Sequence, residues 1–225
     1  MTATPSMNVT GIILAGGLSR RMGGGDKGML ELSGKPMLAH VIERLAPQVS
    51  AMALNANGDP QRFACFGLPV VADTIDGFVG PLAGVLAGMR WAAVHTPAAR
   101  WVATVSADAP LLPAGVVARL VAAVVAERAN AIAIAQSGGE LHPVIGVWPV
   151  VLADDLEAAL RDGVRKVLAW TDRHGTVPVD FPFIDIAGRQ VDPFFNANTP
   201  EELEEARVLL AKMGTATIFA PRDHT

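Results

Sequence analysis

Short apolar or β-branched runs alternate along this chain with longer stretches in helical register, and that alternation narrows the fold more than any other feature. Residues 9–14 (VTGIIL), 49–54 and 101–105 read as strands that end in polar or glycine-bearing turns at Gly16, Asn55-Ala56-Asn57 and Ser106-Ala107-Asp108. Between them lie helical patterns. Pro36 suits a first helical residue, with Met37, Leu38, Val41, Ile42 and Leu45 on one face, and Pro81 opens a second helix carrying Leu82, Leu86, Met89 and Ala93. Strand, helix and strand in this order build a mostly parallel sheet covered by helices.

The same reading predicts extended pieces at 29–32 (closed by a Ser33-Gly34 turn), 69–72, 131–135 and 144–148. It predicts helices at 113–128, 150–161 and 164–173. A last helix is marked by the capping box Thr199-Pro200-Glu201-Glu202 and the stripe Leu203, Ala206, Leu209, Leu210 and Met213. No repeat, linker or composition break divides the chain. The expectation is one three-layer α/β domain over residues 8–213, with halves at 8–110 and 111–213, and a tail over 214–225.

Composition removes several classes of function. Of 225 residues, 51% are hydrophobic and 18% charged, which is not a disordered chain. The net charge of −4 supplies no global basic field for nucleic acid or an anionic membrane. Cys65 is the single cysteine, so neither an internal disulfide nor a CxxC metal site is available. No run reaches the roughly 20 apolar residues that span a bilayer. The first nine residues lack the basic and apolar parts of a secretory signal, and a cytoplasmic protein is expected.

One segment breaks this acidic background. Residues 16–28 read GGLSRRMGGGDKG: six of thirteen are glycine and the local charge is +2, leaving −6 elsewhere. Glycines let backbone N–H groups close on an anion, and Arg20, Arg21 and Lys27 can neutralise it. The segment is no P-loop, because Lys27 follows Asp26 and precedes Gly28. Gly23 to Gly28 formally fits a dinucleotide fingerprint, but it starts eight residues after Ala15 and precedes an extended piece. A ligand-free surface loop is the bland alternative.

Leu14-Ala15-Gly16-Gly17-Leu18-Ser19-Arg20-Arg21-Met22-Gly23, followed by Asp26-Lys27-Gly28, resembles the signature of the molybdenum cofactor guanylyltransferase family. More broadly it is similar to nucleotidyltransferases of the Rossmann-like nucleotide-diphospho-sugar transferase fold. Further matches follow in the family's order over residues 9–213: Leu54-Asn55-Ala56-Asn57, Asp73, Gly80-Pro81-Leu82-Ala83-Gly84, Asp108-Ala109-Pro110, His142-Pro143, Arg165 and Phe195-Asn196-Ala197-Asn198-Thr199-Pro200.

The resemblance implies that Leu14, Ala15, Gly16, Gly17, Lys27, Asn55, Asp73 and Asp108 hold GTP, with Gly80, Pro81 and Gly84 near the guanine. Asp108 would carry Mg²⁺, assisted by Asn198. One carboxylate suffices when nucleotide phosphates complete the shell. Lys27 and Arg21 would be the catalytic charges. His142, Arg165 and Asn196 would face the phosphate of the molybdopterin acceptor. Read alone, Asp108 is equally a turn or capping aspartate, Asn55 and Asp73 are turn residues, and Arg165 belongs to a solvated basic face.

No H-E-x-x-H spacing and no nucleophile elbow occur. The implied reaction needs neither, since the second pKa of a phosphomonoester is about 6 and the attacking phosphate is already anionic. The expected activity is transfer of GMP from GTP to molybdenum-molybdopterin, with molybdenum-insertion proteins and apo-molybdoenzymes as candidate partners. Two alternatives remain at this point. One is a cytidylyl- or uridylyltransferase of the same fold, whose signature resembles LAAG; here Gly16 and Gly17 follow Ala15. The other is a non-catalytic GTP-binding assembly partner, in which Lys27 and Asp108 would not be needed.

Overall fold

The computed structural model describes residues 8–16, 26–75, 77, 80–127 and 130–218. Gly17 and Arg21, with most of the glycine-rich loop, lie outside the described residues.

The chain begins with β1 (Val9–Leu14) and resumes at a 3-10 turn over Lys27–Met29. A hairpin of β2 (Glu31–Leu32) and β3 (Lys35–Pro36) turns at Ser33-Gly34, both with positive φ. Helix α1 is Met37–Leu45, so Pro36 precedes the helix and pairs with Glu31 rather than starting it. Next come β4 (Ala51–Asn55), a 3-10 segment at Pro60–Phe66, β5 (Val70–Val71), α2 (Pro81–His95) and β6 (Trp101–Ser106). Helix α3 is Val116–Ala126, three residues later than Pro113, because Gly115 enters it at φ +81°.

The second half supplies β7 (Ile132–Ser137), β8 (Glu140–Pro149), α4 (Ala153–Arg161), α5 (Val167–His174), β9 (Thr176–Asp180), β10 (Ile184–Ile186), β11 (Arg189–Val191) and α6 (Pro200–Ile218). Helix α6 passes the expected end at Met213. The last three strands were not predicted. Pro178 interrupts the β9 pattern, and it is tolerated because β9 is an edge strand.

Seven strands form one sheet in the order β5-β4-β1-β6-β8-β7-β9. Pairing is parallel for β5-β4, β4-β1, β1-β6 and β7-β9, and antiparallel on both sides of β8. The expected mostly parallel sheet is therefore present, with β8 as its one reversed strand. Strand faces alternate. Val9 and Ile13 pack under α1 and α3, together with Leu38, Val41, Val117 and Leu120. Ile12, Ala53 and Val102 pack under α2, α4 and α5 with Val85, Leu156 and Trp170. Burial on both faces explains why these strands read as continuous apolar runs.

Helix α2 sits unusually close to the sheet. A Cβ on Gly88 would come within 2.6 Å of Ile12, and one on Gly84 within 2.2 Å of Asn55 Oδ1. Helix α6 closes the bottom of the β2-β3 and β10-β11 hairpins through Leu203, Ala206 and Leu209. Among the described residues no helix is long and apolar enough to cross a membrane.

Candidate active site

The carboxyl ends of β1, β4 and β6 lie side by side, where open α/β sheets bind ligands. Backbone bonds hold the three exits in register: Ala15 N–H donates to Asn55 O at 2.8 Å, and Ala107 N–H donates to Leu14 O at 3.1 Å. A cavity of about 440 Å³ opens over this edge. Its lining includes Leu14, Gly16, Asn55, Asp73, Gly80 and Pro81, all of them residues singled out in the sequence. Ser106 and Val144 line it too, and the sequence reading missed both.

On one flank, polar side chains are fixed before any ligand arrives. Asn55 Nδ2 donates to Val71 O at 3.1 Å and to Asp73 Oδ1 at 3.0 Å, while Asn57 Nδ2 donates to Asp73 Oδ2 at 2.8 Å. Asp73 N–H returns a bond to Asn57 Oδ1 at 2.8 Å. Gly84 lies directly beneath, and its missing side chain is the space that Asn55 occupies. The structure therefore gives Gly84 a packing role under the cavity rather than a place in its wall.

On the other flank stands the charged cluster. Lys27 Nζ donates to Asp108 Oδ2 and, at 2.5 Å, to Asn198 Oδ1. Ser106 Oγ donates to Asp108 Oδ1. With its amide nitrogen facing inward, Asn196 donates to the same Oδ1 at 3.2 Å. Ala197 N–H reaches Asp108 O at 3.4 Å. Asp108 is thus not a helix cap. It sits in the space between Lys27 and the asparagine segment, and Ser106 joins this cluster to the cavity.

Local chemistry explains the placement. Gly28 lets the Lys27 turn press on α1 and the β6 exit, since a Cβ there would meet Leu38 at 3.2 Å and Ala107 at 3.4 Å. The capping box forms as expected: Glu202 N–H donates to Thr199 Oγ1 at 3.2 Å, and Glu202 Oε2 accepts from Thr199 N–H at 3.0 Å. The same carboxylate accepts from Asn198 N–H at 2.6 Å, which fixes Asn198 just ahead of α6. Lys27 and Asp108 keep only 11% and 17% of their side-chain surface exposed, so solvent screens the pair weakly.

Two acceptor candidates lie elsewhere. His142 Nε2 is bonded to Ser137 Oγ at 2.6 Å, and its ring packs on Phe194 at 4.7 Å. Burial pulls its pKa below the ordinary value, while Asp192 and Glu140 pull it back up. Arg165 Nη1 donates to Leu160 O and Val164 O, each at 3.0 Å, across the α4–α5 turn. Gly163 follows α4 at φ +90°, and α5 starts at Val167 instead of the expected Val164. The backbone N–H of Val164 is used in closing α4, donating to Ala159 O at 3.0 Å, so Arg165 lies ahead of the helix and not in its first turn.

A lysine paired with a strand-end carboxylate and a cavity of about 440 Å³ at the edge of this sheet are the features of a nucleotidyltransferase. The chain belongs to the MobA-like NTP transferase domain family, whose model matches residues 11–176. It is 53% identical over 212 residues to a molybdenum cofactor guanylyltransferase of Bradyrhizobium sp. (strain ORS 278), covering 94% of this chain and 97% of that protein. The fold is shared with molybdopterin-guanine dinucleotide biosynthesis protein A from Archaeoglobus fulgidus, at TM-score 0.68 and 24% identity, over 91% of this chain and 100% of that one. It is shared also with a CMP:2-keto-3-deoxy-manno-octonic acid synthetase solved with CTP, at TM-score 0.68 and 16% identity, over 92% and 99%.

Proposed function

We propose that the chain transfers GMP from GTP to the terminal phosphate of molybdenum-molybdopterin, releasing pyrophosphate. One observation supports the site assignment: Lys27, Asp108 and Asn198, brought from three distant parts of the chain, meet beside the cavity at the carboxyl edge of the sheet. Near-full-length identity of 53% to a molybdenum cofactor guanylyltransferase favours guanylyl over cytidylyl or uridylyl transfer. The intact Lys27–Asp108 pair disfavours a non-catalytic nucleotide binder.

Asp108 fits Mg²⁺. It is a hard oxygen donor with the amides of Asn196 and Asn198 beside it. Such an ion can be held by one carboxylate together with nucleotide phosphates. Bound there, Mg²⁺ supplies charge neutralisation for the phosphates. Lys27 turns from Asp108 to a phosphate oxygen, and Asn198 stays within reach of both. Leu14, Ala15, Gly16 and Gly17 offer backbone to the nucleotide, and Arg21 adds charge from the loop. Asn55 and Asp73 present fixed polar atoms to ribose or base, with Gly80 and Pro81 closing the guanine side. Arg165 serves the acceptor, whereas His142 and Asn196, engaged by Ser137 and Asp108, act by holding the site together.

The attacking phosphate is already anionic, so no side-chain base is required. The residues act by positioning two polyanions and neutralising them. Molybdenum-insertion proteins and apo-molybdoenzymes are the partners this product calls for. A cytoplasmic location goes with the exposed single thiol of Cys65. The test is pyrophosphate release from each of the four nucleoside triphosphates, with and without molybdopterin. Release should require GTP and acceptor together; equal turnover with CTP would move the protein to the cytidylyl branch.

A further inference from the structure

A second polar cluster stands apart from the nucleotide cavity, where β7, β8 and the segment after β11 converge. Ser137 Oγ donates to Asp192 Oδ1 at 2.9 Å. That uses its only proton, so the 2.6 Å contact with His142 is a bond from Nε2–H to Ser137 Oγ. Asp192 Oδ2 lies 3.8 Å from the same Nε2. The residue types are those of a hydrolytic triad, but the arrangement is not. The hydroxyl proton faces the carboxylate, and Ser137 is 2% exposed, so no nucleophile is presented.

The cluster instead points along the chain. Asp192 Oδ1 also accepts from Phe194 N–H at 2.8 Å, and Phe195 N–H donates to Asp192 O at 3.1 Å, a side-chain-closed turn. Phe194 is buried between His142, at 4.7 Å, and Phe181, at 5.1 Å. Two residues on, Asn196 donates to Asp108. Two further, Asn198 accepts from Lys27. Hydrogen bonds join Ser137 to Asp192, Asp192 to Phe194 and Asn196 to Asp108, and two peptide units carry the path from Phe194 to Asn196.

We infer that Asp192 is a positioning residue for the transfer reaction, holding through Ser137 and His142 the segment that sets Asn196 and Asn198 against Asp108 and Lys27. The inference rests on the guanylyl-transfer reading. Asp192 itself is not a catalytic residue. Removing its carboxylate leaves Ser137 Oγ–H and Phe194 N–H without their acceptor, and releases the turn from which both asparagines project.

Asp192→Ala, Asp192→Asn and Ser137→Ala are compared with wild type in pyrophosphate release from GTP, Mg²⁺ and molybdopterin. Calorimetry measures GTP binding without acceptor. Asp192→Ala should lose roughly 10- to 100-fold in kcat, as expected for a shift of about 1 Å in aligned groups, with GTP affinity within about twofold. Asp192→Asn should recover most of the loss, since its Oδ1 still accepts from Ser137 and Phe194. Ser137→Ala, which removes one arm only, should lose several-fold and serves if Asp192→Ala does not fold. A kcat within twofold of wild type in Asp192→Ala, or in a folded Ser137→Ala when the former does not fold, overturns the inference. So does a parallel loss of kcat and GTP affinity that Asp192→Asn fails to rescue. If wild type itself releases no pyrophosphate, the guanylyl-transfer reading fails. Hydrogen exchange then decides the positioning role: faster exchange at Phe194 and Ala197 in Asp192→Ala, restored in Asp192→Asn, supports it, and unchanged exchange overturns it.

Discussion

Lys27 and Asp108, 81 residues apart in the chain, neutralise each other at the carboxyl edge of the sheet. A phosphate that takes Lys27 leaves Asp108 without its cation, and a cation that takes Asp108 leaves Lys27 without its anion. Only a metal–nucleotide complex satisfies both groups at once. GTP should therefore bind at least about tenfold more tightly with Mg²⁺ than without it, and Lys27→Met should shrink that ratio, about 1.4 kcal/mol of coupling per factor of ten. Calorimetry with and without the metal measures both. An unchanged ratio in the variant would mean that the two charges do not compete.

Asp108→Asn keeps the shape of the cluster and removes its charge. Turnover should fall by at least about 100-fold, the usual scale for losing one electrostatic contact to a transferring group. The fold should persist, because Ser106 Oγ and Asn196 can still donate to the amide oxygen. Rate and thermal midpoint, measured together, separate the two effects. Near-normal turnover would reduce Asp108 to a structural partner of Lys27.

Gly84→Ala places a methyl group 2.2 Å from Asn55 Oδ1 and 2.8 Å from Leu14, a clash that only movement can relieve. Overpacking of this kind costs about 1–3 kcal/mol. The displaced residues both line the cavity, so GTP affinity should fall along with the urea midpoint. Retained GTP affinity in a destabilised variant would detach Asn55 from nucleotide binding.

Arg165→Ala should weaken molybdopterin far more than GTP. A bidentate guanidinium–phosphate contact contributes about 1.5–3 kcal/mol, a 10- to 150-fold change in affinity. The arginine also donates to Leu160 O and Val164 O, so a small loss of stability is expected in either case. Separate titrations of the two ligands decide the matter. Equal losses, or none, would assign Arg165 to the α4 terminus alone.

Acid should destabilise the protein in two stages. Burial lowers the pKa of both His40 and His142 from their ordinary 6.5, so the folded state resists the protons that the unfolded chain accepts. Stability from these groups is complete above pH 6.5 and is lost as pH falls below it. Glu43 is lowered by its Lys35 partner, and Glu157 by Arg161 and Arg90, so their losses come later, below the carboxylate range. His40→Gln should flatten the dependence of the thermal midpoint as pH falls below 6.5 and leave the steeper loss below pH 4.5. An unaltered slope in the upper window would place the proton uptake elsewhere.

The strands and the cleft were legible because they rest on local patterns. β1 is a run buried on both faces, and Asn55, Asp73 and Asp108 follow strand ends where side chains gather. The Thr199 capping box likewise announced α6. What could not be read depends on distant partners. Pro36 looked like a helix start until its pairing with Glu31 placed it in a hairpin. β9 was hidden by Pro178, and the β10-β11 hairpin by its short, polar strands. His142 and Asn196 appeared as one acceptor group, yet Asn196 sits on Asp108 while His142 is turned into the Ser137–Asp192 cluster. Asp192 carried no signal, because its importance comes from Ser137, 55 residues away.

The contact between Lys27 and Asn198 spans 171 positions of the chain. During synthesis the first lobe leaves the ribosome long before the segment that completes the catalytic edge. The cluster around Asp108 is complete only once the segment ahead of α6 has brought Asn198 to Lys27. A chain that stops short of α6 lacks this contact, so the charged cluster records whether synthesis has run through to the last helix.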